Sequence, residues 1–139
     1  MSTYNLQRFH KAQESTYHNA LLEIRGGKKT SHWMWFIFPQ IAGLGYSETA
    51  RFYAIHNLEE AELYLQDEIL AERLITISKA LLQLKGKTAH DVFGSPDDLK
   101  LKSSMTLFSS VKGADPVFHQ VLDYYFGGKK DEKTLRLID

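Results

Sequence analysis

The chain has 139 residues, 43% hydrophobic and 12% aromatic, and its 17 lysines and arginines are balanced by 17 aspartates and glutamates. A chain this long buries roughly two thirds of the surface its unfolded form exposes, so one domain over residues 1–139 is expected to hold together without disulfide or metal. The absence of cysteine excludes disulfides, thiolate nucleophiles and zinc–thiolate sites, and zero net charge argues against the broad cationic surface of nonspecific nucleic-acid binding while leaving room for a local basic patch.

The N-terminal Met1-Ser2-Thr3-Tyr4-Asn5 has no basic region leading into an apolar core, and no apolar run approaches the roughly 18 residues of a membrane span. A soluble cytoplasmic protein with no membrane partner is expected. Asn5 is placed to cap a first helix carrying Leu6, Phe9 and Gln13, and a second helix from about Thr16 presents Ala20, Leu21 and Ile24 on one side before Gly26-Gly27 ends it. His10, Glu14 and His18 would align as metal ligands on one unbroken helix, but Glu14-Ser15-Thr16 reads as a break and no fourth ligand is evident. No metal is expected, and no cofactor.

The densest run of large side chains follows, Ser31-His32-Trp33-Met34-Trp35-Phe36-Ile37-Phe38-Pro39-Gln40, and it holds both tryptophans. Buried tryptophan needs a partner for its ring N–H, so this block predicts both the centre of the core and a polar margin. Any helix within it should stop by Ile37, because Pro39 disfavours helical angles at Phe38. Ile41 to Tyr46, with Gly43 and Gly45, reads as a loop.

Ser47 caps a predicted helix from Glu48 to about His56, and Asn57 caps the next, with Glu60 three residues on completing a capping box. After Asp67, the series Ile69, Leu70, Leu74, Ile77, Leu81 and Leu82 is the longest helical period in the chain, closed by Gly86. Thr88 opens a short helix ending near Phe93-Gly94. In Ser95-Pro96-Asp97-Asp98 a cap residue, a proline at the first helical position and an acid three residues after the cap announce another, continued by Leu101, Met105 and Phe108. Asp115-Pro116 repeats the start signal for a stripe of Val117, Phe118, Val121, Leu122 and Tyr125, and after Gly127-Gly128 Asp131 caps a last helix through Leu135 and Ile138. No period-two strand survives. The fold class predicted is all-α or mainly α, a compact domain of about seven to nine short helices around an aromatic core.

Taken together, Arg8-Phe9 with Ala12-Gln13, the Ser31 to Gln40 block, Phe93-Gly94-Ser95-Pro96-Asp97-Asp98-Leu99-Lys100-Leu101, Ser103-Ser104-Met105-Thr106-Leu107-Phe108 and Phe126-Gly127-Gly128 resemble the bacterial family catalogued as domain of unknown function 1810, also described as Rv1873-like, over nearly the whole chain. The resemblance implies a compact helical domain and no established reaction. A coarser similarity at fold level to the NADAR superfamily, helical proteins associated with NAD and ADP-ribose chemistry, implies a nucleotide-like ligand. Fold alone does not carry function.

Candidate chemistry centres on the aromatic block. His32 exchanges a proton near neutral pH and the indoles of Trp33 and Trp35 offer stacking faces, though apolar neighbours are as readily explained by a core histidine. Asp98, Lys100, Ser103 and Ser104 gather polar groups at a helix start, where Asp97 and Asp98 already occupy the positive end and capping explains them too. Lys100 and Ser103 stand in the reverse order to the serine–lysine nucleophile motif. Arg25, Lys28, Lys29 and Arg51 flank the block as charge partners for an anion. No Walker loop, dinucleotide fingerprint or zinc-protease motif occurs.

The reading is a pocket for a small anionic, nucleotide-like ligand, with Trp33, Trp35, Gln40, Arg51, Lys100, Ser103 and Ser104 as ligand-binding residues. If it is an enzyme, the distant resemblance implies hydrolysis of an N-glycosidic or ADP-ribose-linked substrate, with His32 or Asp98 as the acid–base group. The rival is an interaction or self-association module in which Trp33, Trp35, Phe36 and Phe38 form a partly exposed patch, since zero net charge removes the repulsion between copies. Solvent exposure of the tryptophans separates the two.

Overall fold

A computed structural model describes residues 4–138, and among them the chain forms ten α-helices and no strand. They are α1 (Gln7–Glu14), α2 (Tyr17–Arg25), α3 (Met34–Ile37), α4 (Glu48–Tyr53), α5 (Leu58–Gln66), α6 (Glu68–Leu82), α7 (Ala89–Phe93), α8 (Asp97–Ser109), α9 (Val117–Phe126) and α10 (Glu132–Ile138). The mainly helical architecture is as the spacing predicts. The count rises to ten because α3 and α7 are short segments of four and five residues.

Most helix boundaries follow from local chemistry. Ser47 accepts from the Ala50 N–H, Asp67 from the Ile69 and Leu70 N–H groups, and Thr88 and Asp91 cap each other reciprocally, each removing a donor the helix cannot satisfy itself. Helix α3 stops at Ile37, ahead of Pro39, and Gly127 ends α9 in the left-handed conformation. Four predicted starts or stops shift. Leu6 occupies the cap of α1 and Asn5 does not cap it. Pro96, and not Ser95, precedes α8, whose early N–H of Asp98 is taken by the Gly94 carbonyl. Helix α4 ends at Tyr53 because Ile55 turns extended to bridge Ile41, with the Ile55 N–H donating to the Gln40 carbonyl and the Ala42 N–H to the Ile55 carbonyl, both at 2.8 Å.

The fourth shift concerns Glu60. Asn57 does accept from the Glu60 N–H, but the Glu60 carboxylate does not return to Asn57 and complete a capping box. It lies fully buried against Arg8 at 2.9 Å and accepts from the His56 N–H and Nδ1, both at 2.7 Å. Arg8 in turn donates to the carbonyls of Asn5, Phe52 and Ala54. Burial raises the Glu60 carboxyl, but the bonds from Arg8 and His56 outweigh it and leave it below the usual carboxylate range. This pair ties α1 to α5 and to the end of α4.

At the centre lies α8, packed against α9, α7, α5 and α10. Its residues Ser103 to Phe108 are all buried. Two hydroxyls of this buried stretch are satisfied within the helix, Ser103 and Thr106 donating to the carbonyls of Leu99 and Lys102, four residues back, while that of Ser104 has no partner. Of the long period of α6, Leu70, Leu74, Ile77 and Leu81 are buried at 1% exposure or less, whereas Ile69 is 50% exposed and Leu82 half-buried at the ends of the stripe. The aromatic block joins this core from one side through Trp33, Ile37 and Phe38, with Trp33 and Phe38 both packed on Phe93.

Candidate functional site

The chain leaving α2 turns at Gly26-Gly27 and is caught by a carboxylate three residues before the turn. Glu23 accepts from the Thr30 N–H (2.7 Å), the Ser31 N–H (3.0 Å), the Ser31 hydroxyl (2.7 Å) and the Trp33 indole N–H (2.9 Å). Burial pushes this carboxyl up, but the four donors outweigh burial and hold it at about 2. Glu23 therefore stays charged and fixes the path of Ser31, His32 and Trp33. The polar margin expected of the aromatic block is real, and its partner is a residue on the preceding helix.

A second carboxylate organises the other wall. Asp97, at the start of α8, bridges Lys29 at 3.0 Å and Lys100 at 2.9 Å. Burial raises its carboxyl, and the two ammonium groups more than reverse that, so it lies below the usual range. Held this way, the Lys100 ammonium sits 3.9 Å from the centroid of the Trp35 ring and the Lys29 ammonium 5.1 Å from that of Trp33. Both are cation–π distances, and the Trp35 contact is close.

Two concavities share this Trp35–Lys100 wall. The smaller, about 100 Å³, is lined by Lys29, His32, Trp33, Met34, Trp35, Asp97 and Lys100. The larger is an open groove of about 300 Å³ lined by Trp35, Gln40, Leu44, Gly45, Pro96, Leu99, Lys100, Ser103, Asp131 and Lys133. Gly45 lets its loop close on the indole: a Cβ there would stand 3.5 Å from the Trp35 ring and only 2.6 Å from the Ala50 methyl. Asp131 enters from the start of α10, where its Oδ2 accepts from the Thr134 N–H and hydroxyl while its own N–H donates to Thr106.

The predicted site residues divide accordingly. Trp35, Gln40, Lys100 and Ser103 come together in the groove, and His32, which is exposed, and Trp33, which is 1% exposed, line the smaller cleft. Asp98 lines neither: it accepts from the Leu99 N–H and the Ser95 hydroxyl and faces His90 at 3.6 Å. His32 and Asp98 therefore do not share a cleft. Ser104 is fully buried with no partner for its hydroxyl, and Arg51 is exposed on α4 and lines neither concavity. Of the four cations flanking the block, only Lys29 converges on it. No Ser103–Lys100 dyad forms, since the hydroxyl donates to Leu99 and the ammonium goes to Asp97. The break after Glu14 separates His18 from His10, which instead pairs with Asp67 at 2.7 Å. Of the partly exposed patch expected at Trp33, Trp35, Phe36 and Phe38, Trp33 and Phe38 lie in the core and Trp35 and Phe36 are half-buried.

Asp97, Lys133, Asp131 and Glu23 escaped the sequence reading. Asp97 was weighed only as a capping acid. Asp131 carries only its helix-cap signal, and Lys133 and Glu23 carry no local motif; all three enter through tertiary contacts or loop backbone.

A family described as a protein of unknown function, DUF1810, matches residues 3–138. The chain belongs to this family. Among solved structures, the conserved hypothetical protein Rv1873 from Mycobacterium tuberculosis is 44% identical, with a TM-score of 0.96 over 99% of this chain and 98% of that one. No curated protein matches. Among the described residues, no helix is long and apolar enough to cross a membrane, and no three histidine, aspartate or glutamate side chains gather as a metal ion would require.

Proposed function

We propose that this DUF1810 protein binds a small anionic ligand carrying a planar ring, of the nucleotide or ADP-ribose class, in the groove walled by Trp35 and Lys100. The observation that carries this is the Lys100 ammonium held by Asp97 over the Trp35 ring in a groove of about 300 Å³. A pocket of that size suits a small ligand, with apolar walls from Leu44, Pro96 and Leu99 and a few polar groups to fix orientation. Lys100 and Lys133 supply positive charge for the anion, Gln40 and Ser103 line the floor, and Trp35 supplies the stacking surface. Lys100 and Lys133 thus take the part the sequence reading gave to Arg51. If the ligand is also hydrolysed, Asp131 rather than Asp98 is the carboxylate lining its groove, and His32 lines the adjoining cleft. The absence of cysteine accords with action in the cytoplasm.

The reading is tested by a thermal-shift screen against AMP, ADP, ADP-ribose and ribose 5-phosphate. A ligand present at about 100 times its dissociation constant adds roughly 2.7 kcal/mol, a rise of several degrees for a domain of this size. The rise should vanish in Trp35→Ala and Lys100→Ala. No rise with any compound, or an equal rise in both variants, refutes it.

A further inference from the structure

Beside the groove lies a second concavity that shares part of its wall. This is a trough of about 740 Å³ lined by Lys102, Lys129, Lys130 and Lys133 with Asp131, Glu132 and Leu135, and it shares Asp131 and Lys133 with the Trp35 groove. Its lysines come from three places: Lys102 from α8, Lys129 and Lys130 from the turn after α9, and Lys133 from α10. What holds them together is built into the fold. Gly127 and Gly128 both take positive φ to reverse the chain, and the Asp131 N–H donates to Thr106 while its carboxylate receives Thr134, both threonines being fully buried. Lys29 and Lys100 share the single carboxylate of Asp97, but none of these four lysines stands in an ion pair among the described residues.

We infer that the trough is a track for the phosphates of a short single-stranded nucleic acid whose terminal base enters the Trp35 groove. This rests on the anionic-ligand reading of that groove and names its substrate class. A mononucleotide held in the groove would leave the lysine-lined trough beside it unfilled, whereas a longer strand engages both. Charge points the same way, since four lysines that make no ion pair among the described residues line one trough and match a repeated anion, Lys102 standing 6.0 Å from the Phe126 ring. A duplex is excluded by the position of Trp35, which lies in a concave wall and reaches only a base free of its partner. The chain's zero net charge, and Asp131 and Glu132 within the trough, confine the contact to a few phosphates.

Fluorescence anisotropy with 5′-fluorescein-labelled eight-nucleotide DNA and RNA of mixed sequence, with AMP as competitor, tests the inference. At 50 mM salt at least one oligonucleotide should bind ten-fold or more tighter than AMP. With about four phosphate contacts its affinity should fall about fifty-fold by 200 mM salt. The exposed double variant Lys129→Glu, Lys130→Glu should abolish the advantage over AMP and leave AMP binding unchanged, whereas Trp35→Ala should weaken both. Equal affinity for AMP and oligonucleotide overturns the track but leaves the groove reading standing; no binding of either overturns both. Oligonucleotide binding that survives the double variant, or that polyglutamate displaces as well as unlabelled strand does, also overturns it. So does binding to phosphatidylserine vesicles with none to oligonucleotides.

Discussion

Replacing Glu23 by alanine removes the one acceptor that the chain from Thr30 to Trp33 converges on. Three of its four donors belong to Thr30 and Ser31, which are exposed and find water instead. The fourth, the indole N–H of Trp33, belongs to a side chain 1% exposed, and an orphaned buried donor costs about 1–3 kcal/mol. With the loss of ordering in the loop, Glu23→Ala should destabilise by about 2–3 kcal/mol, lowering Tm by roughly 6–12 °C for a chain of this length. Urea titration followed by tryptophan fluorescence measures it. An acid arm isolates the charge. The folded carboxyl sits at about 2 against an ordinary value of 4.5, so its contribution is complete above pH 4.5 and is lost as pH falls toward 2. The upper bound is about 3 kcal/mol, and solvent screening at this partly exposed position brings it to about 1–2 kcal/mol. The difference in stability between the wild type and Glu23→Gln should therefore shrink by about that amount between pH 5 and pH 2.5. A change under about 0.5 kcal/mol in Glu23→Ala, or a difference that does not depend on pH, refutes the reasoning.

Leu74→Ala should cost about 2–5 kcal/mol in urea denaturation, since Leu74 is 1% exposed on the packed face of α6; a loss under 0.5 kcal/mol would contradict the packing. Arg8→Met strands the Glu60 carboxylate in the core and should cost about 3–5 kcal/mol. The double variant Arg8→Met, Glu60→Leu should recover most of that, and a double variant no more stable than Arg8→Met would count against the pair. Gly45→Ala brings a methyl to 2.6 Å from that of Ala50 beside Trp35, so it should cost about 1–3 kcal/mol and blue- or red-shift the tryptophan emission. Unchanged emission and stability would show that the loop yields freely.

What was legible in the sequence is what local chemistry decides. The period of Leu70, Leu74, Ile77 and Leu81, the caps at Ser47, Asn57 and Thr88, and the stop imposed by Pro39 all lie within a few residues of their effects. The central place of α8 was not legible, because Ser103, Ser104 and Thr106 look like a solvated face; two of the three hide their hydroxyls on carbonyls of the preceding turn. The choice of Asp98 over Asp97 failed on rotation: adjacent helical residues point about 100° apart, and only the three-dimensional position of Lys29 reveals which one meets both lysines. Glu60 was read as a local capping group, whereas its partner Arg8 lies 52 positions earlier. Lys133 and Asp131 reach the groove only through the docking of α10 on α8, which no local pattern announces.

The two indole N–H resonances in a proton–nitrogen correlation spectrum test the ligand groove most directly. Trp33 donates to Glu23 at 2.9 Å and is buried, while Trp35 lines the groove. On titration with AMP and ADP-ribose, the resonance lost in Trp35→Phe should move progressively to saturation with at least one of them, and the Trp33 resonance should stay in place. If neither resonance moves at millimolar ligand, or if Trp33 moves and Trp35 does not, the account of this groove as the binding site is contradicted.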